Sequence, residues 1–263
     1  MRALMWYFPG MAKPFLLCIG HRGAMGHEPE NTLCSIRRAL ELGTPCIEID
    51  VYWVDGHLMV FHDDRLERTT DGTGLISEKS FEALRSLDAG KGERIPTLEE
   101  VCELVDGKAG INVELKGPDT AEPVAQIVLS LIEKGWDKNA LLASSFNHRE
   151  LFNMRRLDPD LQLGVITRSA TPEDLDFAKS IAAFSIHPAH QFIHPKLVKD
   201  LHARGIRIYA YTVNEPDDIA RMHELGIDGV FTNYPERVLD RYTQGDNLGF
   251  WPGRYDNAGP DQR

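Results

Sequence analysis

The sequence predicts an α/β fold, a TIM (β/α)8 barrel with a small insertion after the second strand, and three observations carry that prediction. Apolar strand-like runs alternate with amphipathic stretches along most of the chain, about eight times, the number of units that closes such a barrel. The 263 residues, 42% hydrophobic and 26% charged, suffice for one large domain with a substantial core, and no linker-like stretch divides them. Several apolar runs end in histidines, carboxylates or cations, so these side chains would converge at one end of a sheet.

Phe15 to Ile19 reads as the first strand, and Asn31 to Leu42 as the first helix, with Pro29 and Asn31 near its start. Ile47 to Tyr52 is the second strand. Beyond Phe61-His62-Asp63, an insertion of about residues 64–96 breaks the alternation. Turn signals at Asp71-Gly72, Thr73-Gly74 and Gly90-Lys91-Gly92 surround a short amphipathic stretch, Glu78 to Leu87, which suits a lid or small subdomain. The remaining strands are expected at Ile111 to Leu115, Ala140 to Ala143, Gln162 to Ile166, Ala182 to Ile186, Ile206 to Tyr211 and Gly229 to Thr232. Amphipathic stretches lie between them at Val124 to Glu133, Pro172 to Lys179, Lys196 to Arg204 and Pro216 to Glu224. An open doubly wound sheet is the alternative, but it would carry a G-x-G-x-x-G turn where this chain has Gly20-His21-Arg22-Gly23.

On this reading residues 15–244 form the barrel, 1–14 an N-terminal extension and 245–263 a weakly ordered tail rich in Gly, Pro, Asp and Asn. Phe250, Trp251 and Tyr255 interrupt the tail and could dock on the barrel or on a neighbouring subunit, so a homo-oligomer stays open. The apolar run in Met1 to Gly10 is too short for a signal segment and has no small-residue cleavage site, and Met11 offers another start. No apolar stretch of about 18 residues occurs, so no transmembrane segment is expected. A formal charge of -11, with no Lys/Arg-rich tract, argues against nucleic-acid binding. Cys18, Cys34, Cys46 and Cys102 lack metal-site spacing and read as free thiols of a cytoplasmic protein.

The chemistry gathers at the strand ends. Strand alternation turns Glu48 and Asp50 to one side, and Glu114 and Lys116 repeat that geometry on the next barrel strand. Three carboxylates meeting inside otherwise apolar strands repel one another unless a cation neutralises them, and a hard divalent ion such as Mg²⁺ or Ca²⁺ suits oxygen ligands. Zinc suits them less, because no His and Cys cluster accompanies them. His21 and His62 each follow an apolar run and are the candidate acid–base pair. Arg22 and Lys116 supply positive charge for phosphate oxygens, although Arg22 could also pair with Glu30. Other histidines read as ordinary loop or helix residues, His187 least firmly because it follows a predicted strand.

These pieces together resemble the glycerophosphodiester phosphodiesterase family. The resemblance rests on His21-Arg22-Gly23, Pro29-Glu30-Asn31-Thr32, Glu48-Ile49-Asp50-Val51, His62-Asp63, Arg68-Thr69-Thr70-Asp71-Gly72-Thr73-Gly74, Ile95-Pro96-Thr97-Leu98-Glu99-Glu100, Glu114-Leu115-Lys116 and Thr232-Asn233-Tyr234-Pro235, in that order. It implies a barrel with this insertion, one divalent cation (Mg²⁺ or Ca²⁺, with Mn²⁺ as a further option) and hydrolysis of a small glycerophosphodiester to glycerol 3-phosphate and an alcohol. By position it implies Glu48, Asp50 and Glu114 as metal ligands, His21 and His62 as the catalytic pair, and Arg22 and Lys116 as phosphate-binding cations. Glu30 and Asn31 match supporting positions, and Ser145 and Phe146 match the pocket wall. Tyr211-Thr212-Val213-Asn214 stands where many relatives resemble Trp-Thr-Val-Asn, so Tyr211 bears on the shape and polarity of the substrate pocket. Two rivals remain: a related phosphodiesterase acting on lysophospholipid headgroups, and a catalytically silent barrel that binds phosphodiesters.

Overall fold

The computed structural model describes residues 15–242 and 250–251. The expected N-terminal extension, Tyr255 and most of the tail lie outside the described residues. Among the described residues, eight parallel strands close into a ring: β1 (Leu17–Gly20), β2 (Cys46–Val54), β4 (Gly110–Leu115), β5 (Leu141–Ser145), β6 (Gln162–Thr167), β7 (Ser185–Pro188), β8 (Arg207–Ala210) and β9 (Gly229–Thr232). β9 returns to pair with β1 through Leu17–Gly229 to Gly20–Thr232, so the barrel has no open edge. An extra strand, β3 (His57–Val60), lies antiparallel on the outer half of β2.

β3 was not expected, although its signal is in the chain. Asp55-Gly56 takes positive φ at both residues (50° and 78°), the geometry of a two-residue hairpin turn that Asp-Gly favours. The hairpin explains why β2 runs for nine residues, past the barrel rim. The insertion that follows holds α2 (Phe81–Arg85) and packs its own apolar cluster, including Met59, Phe61, Leu66, Ile76, Leu84 and Ile95, beside the barrel.

The helices cover the barrel: α1 (Leu33–Glu41), α3 (Leu98–Val105), α4 (Ala121–Glu133), α5 (His148–Leu157), α6 (Pro172–Ser180), α7 (Pro195–Ala203), α8 (Pro216–Leu225) and α9 (Glu236–Tyr242). α3, α5 and α9 extend the expected set. The sequence signals of the first two are caps: a Thr97–Glu100 capping box begins α3, and the Asn147 side chain accepts from Arg149 N–H at the start of α5. β7 begins three residues later than its apolar run suggests. Ala182 takes a left-handed φ of 47° and Ala183 N–H bonds back to Ala178, so that part of the run ends α6 instead. The shift places His187 inside a strand.

Alternation along the strands sorts two cores. Outward residues such as Ile47, Ile49, Val113 and Val165 pack under the helices. Inward residues Leu17, Ile19, Cys46, Leu142, Tyr209 and Phe231 fill the barrel, and Trp251 of the tail joins them at only 5% exposure. Trp251→Ala is expected to cost about 3 kcal/mol, a fall of roughly 6–12 °C in melting temperature for a domain of this size. A thermal scan within about 2 °C of wild type would remove Trp251 from the core.

All four cysteines are free. No helix among the described residues is long and apolar enough to cross a membrane.

Candidate active site

The loop after β1 builds the first half of the site. A Cβ on Gly23, which has φ 87°, would stand 2.5 Å from Ser35 Oγ, so the loop presses against α1 more closely than a side chain permits. That tight turn carries Arg22 and Asn31 in the left-handed region, at φ 51° and 58°. Non-glycine residues rarely sit there, and such strain concentrates at working sites. Here it aims the Arg22 N–H at Glu48 Oε2 (2.9 Å) and the Asn31 amide at Asp50 Oδ2 (2.9 Å).

β2 and β4 supply the carboxylates. Asp50 and Glu114 are register partners on adjacent strands, and Glu48 lies two residues before Asp50 on the same face. One oxygen from each of the three carboxylates lies within 4.8 Å of the others. Glu48 and Asp50 are almost fully buried, and Glu48 Oε1 and Asp50 Oδ1 have no hydrogen-bond partner. Burial, then the charges of Asp50 and Glu114, pushes the Glu48 carboxyl well above its usual range. Burial, then Glu114, raises Asp50 to about 6. Lys116 partly offsets this charge, donating from Nζ to Glu114 Oε1 at 2.8 Å and standing 3.8 Å from Asp50 Oδ1.

The two histidines are held differently. His21 donates from Nδ1 to the Asn233 side-chain carbonyl (2.7 Å), which leaves Nε2 facing Glu48 Oε2 at 4.0 Å. Burial first, and the neighbouring Arg22 charge second, lower its pKa to about 3, so the ring is neutral at physiological pH. His62 is more open and donates from Nδ1 to Asp63 Oδ1 at 2.5 Å. Burial also lowers the His62 pKa, and the Asp50 charge and the hydrogen bond to Asp63 offset this only in part.

A network absent from the expected site ties these groups together. Arg68, from the insertion, bonds both Asp63 oxygens (2.5 and 2.9 Å) and both Glu30 oxygens (2.7 Å each). Glu30 also binds Arg22 Nη1 at 2.5 Å, and Arg22 Nε lies 3.2 Å from Asp50. Thus Glu30 serves Arg22 and Arg68 at once. Bonds from Arg68 and His62 hold the Asp63 carboxyl far below its usual range. Asp63 and Arg68 lie in motifs visible in the sequence, but only the folded insertion carries Arg68 back to Glu30.

His21, Arg22, Glu48, His62, Glu114, Lys116 and Tyr211 line one cavity of about 230 Å³ at the C-terminal mouth of the barrel. Glu30 and Asn31 stand behind it. Phe146 joins the lining and meets Tyr211 edge to face, 6.0 Å between centroids. The Tyr211 hydroxyl is turned to the Thr167 carbonyl at 3.0 Å. Ser145 is not in the wall: alternation turns Ser144 inward, so the Ser145 hydroxyl instead donates to the Leu115 carbonyl (2.6 Å) and accepts from Asn147 N–H. It braces the loop that presents Phe146. Asn112, His187 and Phe231 line the floor without having been expected there.

The chain resembles known proteins in sequence and in fold. A profile of the Glycerophosphoryl diester phosphodiesterase family matches residues 21–237. A glycerophosphodiester phosphodiesterase from Caldanaerobacter subterraneus subsp. tengcongensis is 35% identical over 239 residues, covering 87% of this chain and 98% of the relative. One from Bacillus altitudinis is 36% identical over 232 residues, covering 83% and 95%. Among solved structures, an Oleispira antarctica phosphodiesterase in complex with its product sn-glycerol-3-phosphate superposes with a TM-score of 0.79 at 32% identity, covering 86% of this chain and 96% of that one. With a closed barrel, a mouth of carboxylates and histidines, and similarity along nearly the full length of these relatives, the chain belongs to the glycerophosphoryl diester phosphodiesterase family.

Proposed function

We propose that this protein hydrolyses small glycerophosphodiesters to glycerol 3-phosphate and an alcohol, with one divalent cation held by Glu48, Asp50 and Glu114 and with His21 and His62 moving protons. The barrel with its insertion acts as one catalytic domain. The observation that carries this reading is the convergence of Glu48, Glu114, two histidines and two cations on one cavity, with Asp50 in the same carboxylate cluster.

The carboxylate cluster fits a hard cation. Two buried oxygens lack partners, all three groups offer oxygen, and the carboxyls stay raised despite Arg22 and Lys116, so their mutual repulsion needs further positive charge. When bound, Mg²⁺, Ca²⁺ or Mn²⁺ supplies charge neutralisation for a phosphate oxygen. Arg22 keeps guanidinium donors beyond those engaged by Glu30, and with Lys116 it orients the phosphate. His21, neutral and fixed by Asn233, accepts the proton of the attacking oxygen at Nε2. His62, backed by the Asp63 carboxylate, holds a proton at Nε2 and delivers it to the leaving alkoxide. Tyr211 and Phe146 form an apolar wall for the substrate.

The test is a panel of glycerophosphodiesters, with lysophosphatidylcholine included, assayed for glycerol 3-phosphate after EDTA treatment and re-addition of each metal. Release from glycerophosphocholine that EDTA abolishes and a divalent ion restores is the expected result. Activity that survives saturating EDTA would reject the cation, and binding without cleavage would reject the enzyme reading.

A further inference from the structure

Beside Glu48 and below Glu114, the barrel carries further polar groups that the proposed chemistry does not use, Asn112 being the register partner of Glu48. Asn112 precedes Glu114 by two residues on β4 and shares its inward face, about 6.6 Å deeper along the strand. His187 reaches the same cavity from β7. Each is only 1% exposed, yet Asn112 Oδ1 and Nδ2 and His187 Nδ1 have no hydrogen-bond partner. Ser144 Oγ, fully buried on β5 at the register position of Glu114, is also unpartnered. Buried polar atoms are nearly always paired, so the unpartnered atoms of Asn112 and His187, which line one cavity, point to a ligand that completes them.

The position of His187 is built rather than incidental. Ser185 Oγ is hydrogen-bonded to Nε2 at 2.8 Å and sets the ring orientation. Gly164 on β6 makes the room, because a Cβ there would stand 2.5 Å from His187 Cε1. Phe231 and Tyr209 flank the ring, with centroids 5.0 and 5.6 Å away. Burial lowers the His187 pKa to about 3, so the ring is neutral in the working range and offers one donor and one acceptor nitrogen. The Asn112 amide is likewise neutral and two-sided. A floor of uncharged donors and acceptors suits a hydroxyl, whereas phosphate belongs with the charged groups above.

We propose that Asn112 and His187 form the subsite for the hydroxyl of the glycerol half farthest from the phosphate. They thereby select a glycerol phosphate over the same ester lacking that hydroxyl. The inference rests on the phosphodiesterase reading above. A short three-carbon chain spans from phosphate held at Arg22 and Lys116 to a hydroxyl one strand layer deeper.

Titration calorimetry on the metal-loaded protein tests this, with glycerol 3-phosphate and 1,2-propanediol 1-phosphate as probes, the second lacking only the terminal hydroxyl. Wild type is expected to bind glycerol 3-phosphate at least about tenfold more tightly, since a site built to pair a hydroxyl rejects its absence. His187→Phe keeps the ring shape and Asn112→Leu keeps the amide volume. Each is expected to cut the preference to within about twofold, while affinity for the deoxy analogue stays within about threefold. Equal weakening of both probes with the preference intact would overturn the subsite. So would a wild-type protein that binds both alike, which also decides the matter should either variant fail to fold. If wild type releases glycerol 3-phosphate from glycerophosphocholine yet shows no such preference, only the subsite falls. If it releases none, the phosphodiesterase reading falls first.

Discussion

His62→Ala is expected to lower turnover on glycerophosphocholine by about 10²–10⁴-fold, the usual contribution of a positioned general acid. The loss should shrink to about tenfold or less on a p-nitrophenyl phosphodiester, because a phenolate-type leaving group departs without a proton. His21→Ala should lose about 10²-fold or more on both substrates, since the attacking oxygen needs its proton removed in either case. Steady-state kinetics on the two substrates separates the roles. Equal losses for both variants on both substrates would cancel the division between base and acid, and near-normal turnover in both would reject the pair. The geometry behind this expectation is asymmetric. Asn233 accepts from His21 Nδ1 and leaves Nε2 free, whereas Asp63, secured by Arg68, stabilises the protonated form of His62.

The second large effect concerns the carboxylates. Glu114→Gln and Asp50→Asn are expected to abolish detectable turnover, and saturating Mg²⁺ or Ca²⁺ should raise the wild-type melting temperature by roughly 5–10 °C. That size follows from about 2.7 kcal/mol at a ligand concentration 100 times the dissociation constant. The pH dependence follows from Asp50, whose pKa rises from 3.8 to about 6, first through burial and then through Glu114. A carboxyl with a raised folded-state pKa holds its proton more tightly folded than unfolded. The cation-free protein is therefore favoured at low pH and loses that stability as pH rises from about 4 through about 6. A bound cation replaces those protons, so its thermal shift should be largest above about pH 6.5 and shrink toward pH 5. Glu48→Gln removes one of the repelling charges, and its cation-free melting temperature should not fall below that of wild type, while its cation-induced shift should shrink. A shift that is the same at pH 5 and pH 7.5 would contradict the carboxylate cluster as the binding site.

Much of the site was legible because its residues are anchored to strands. Once Glu48, Asp50 and Glu114 are placed on inward faces, a parallel register of adjacent strands forces them together, and the structure pairs Asp50 with Glu114 directly. Histidines at strand ends likewise fall at the mouth. Residues whose roles depend on chain reversals were harder to read. Arg68 lies 38 positions from Glu30 and meets it only because the insertion packs on its own apolar cluster. Asn233 orients His21 from the other end of the chain, 212 residues away, because β9 closes on β1. Ser145 matches the family only by position: alternation on β5 turns its neighbour Ser144 inward, and Ser145 braces the loop that carries Phe146.

The fold class follows from alternation and length alone, since hydrophobic periodicity is a local property that strands and helices express wherever they stand. The kinds of side chain at the mouth follow too, because a strand end is recognisable in sequence. Tertiary structure alone decided how those groups are charged and held: the rise of Asp50, the neutrality of His21 and His187, the route from Arg68 to Glu30, and Trp251 inside the barrel. These depend on desolvation and on distances between segments far apart in the chain, and neither exists until the barrel closes.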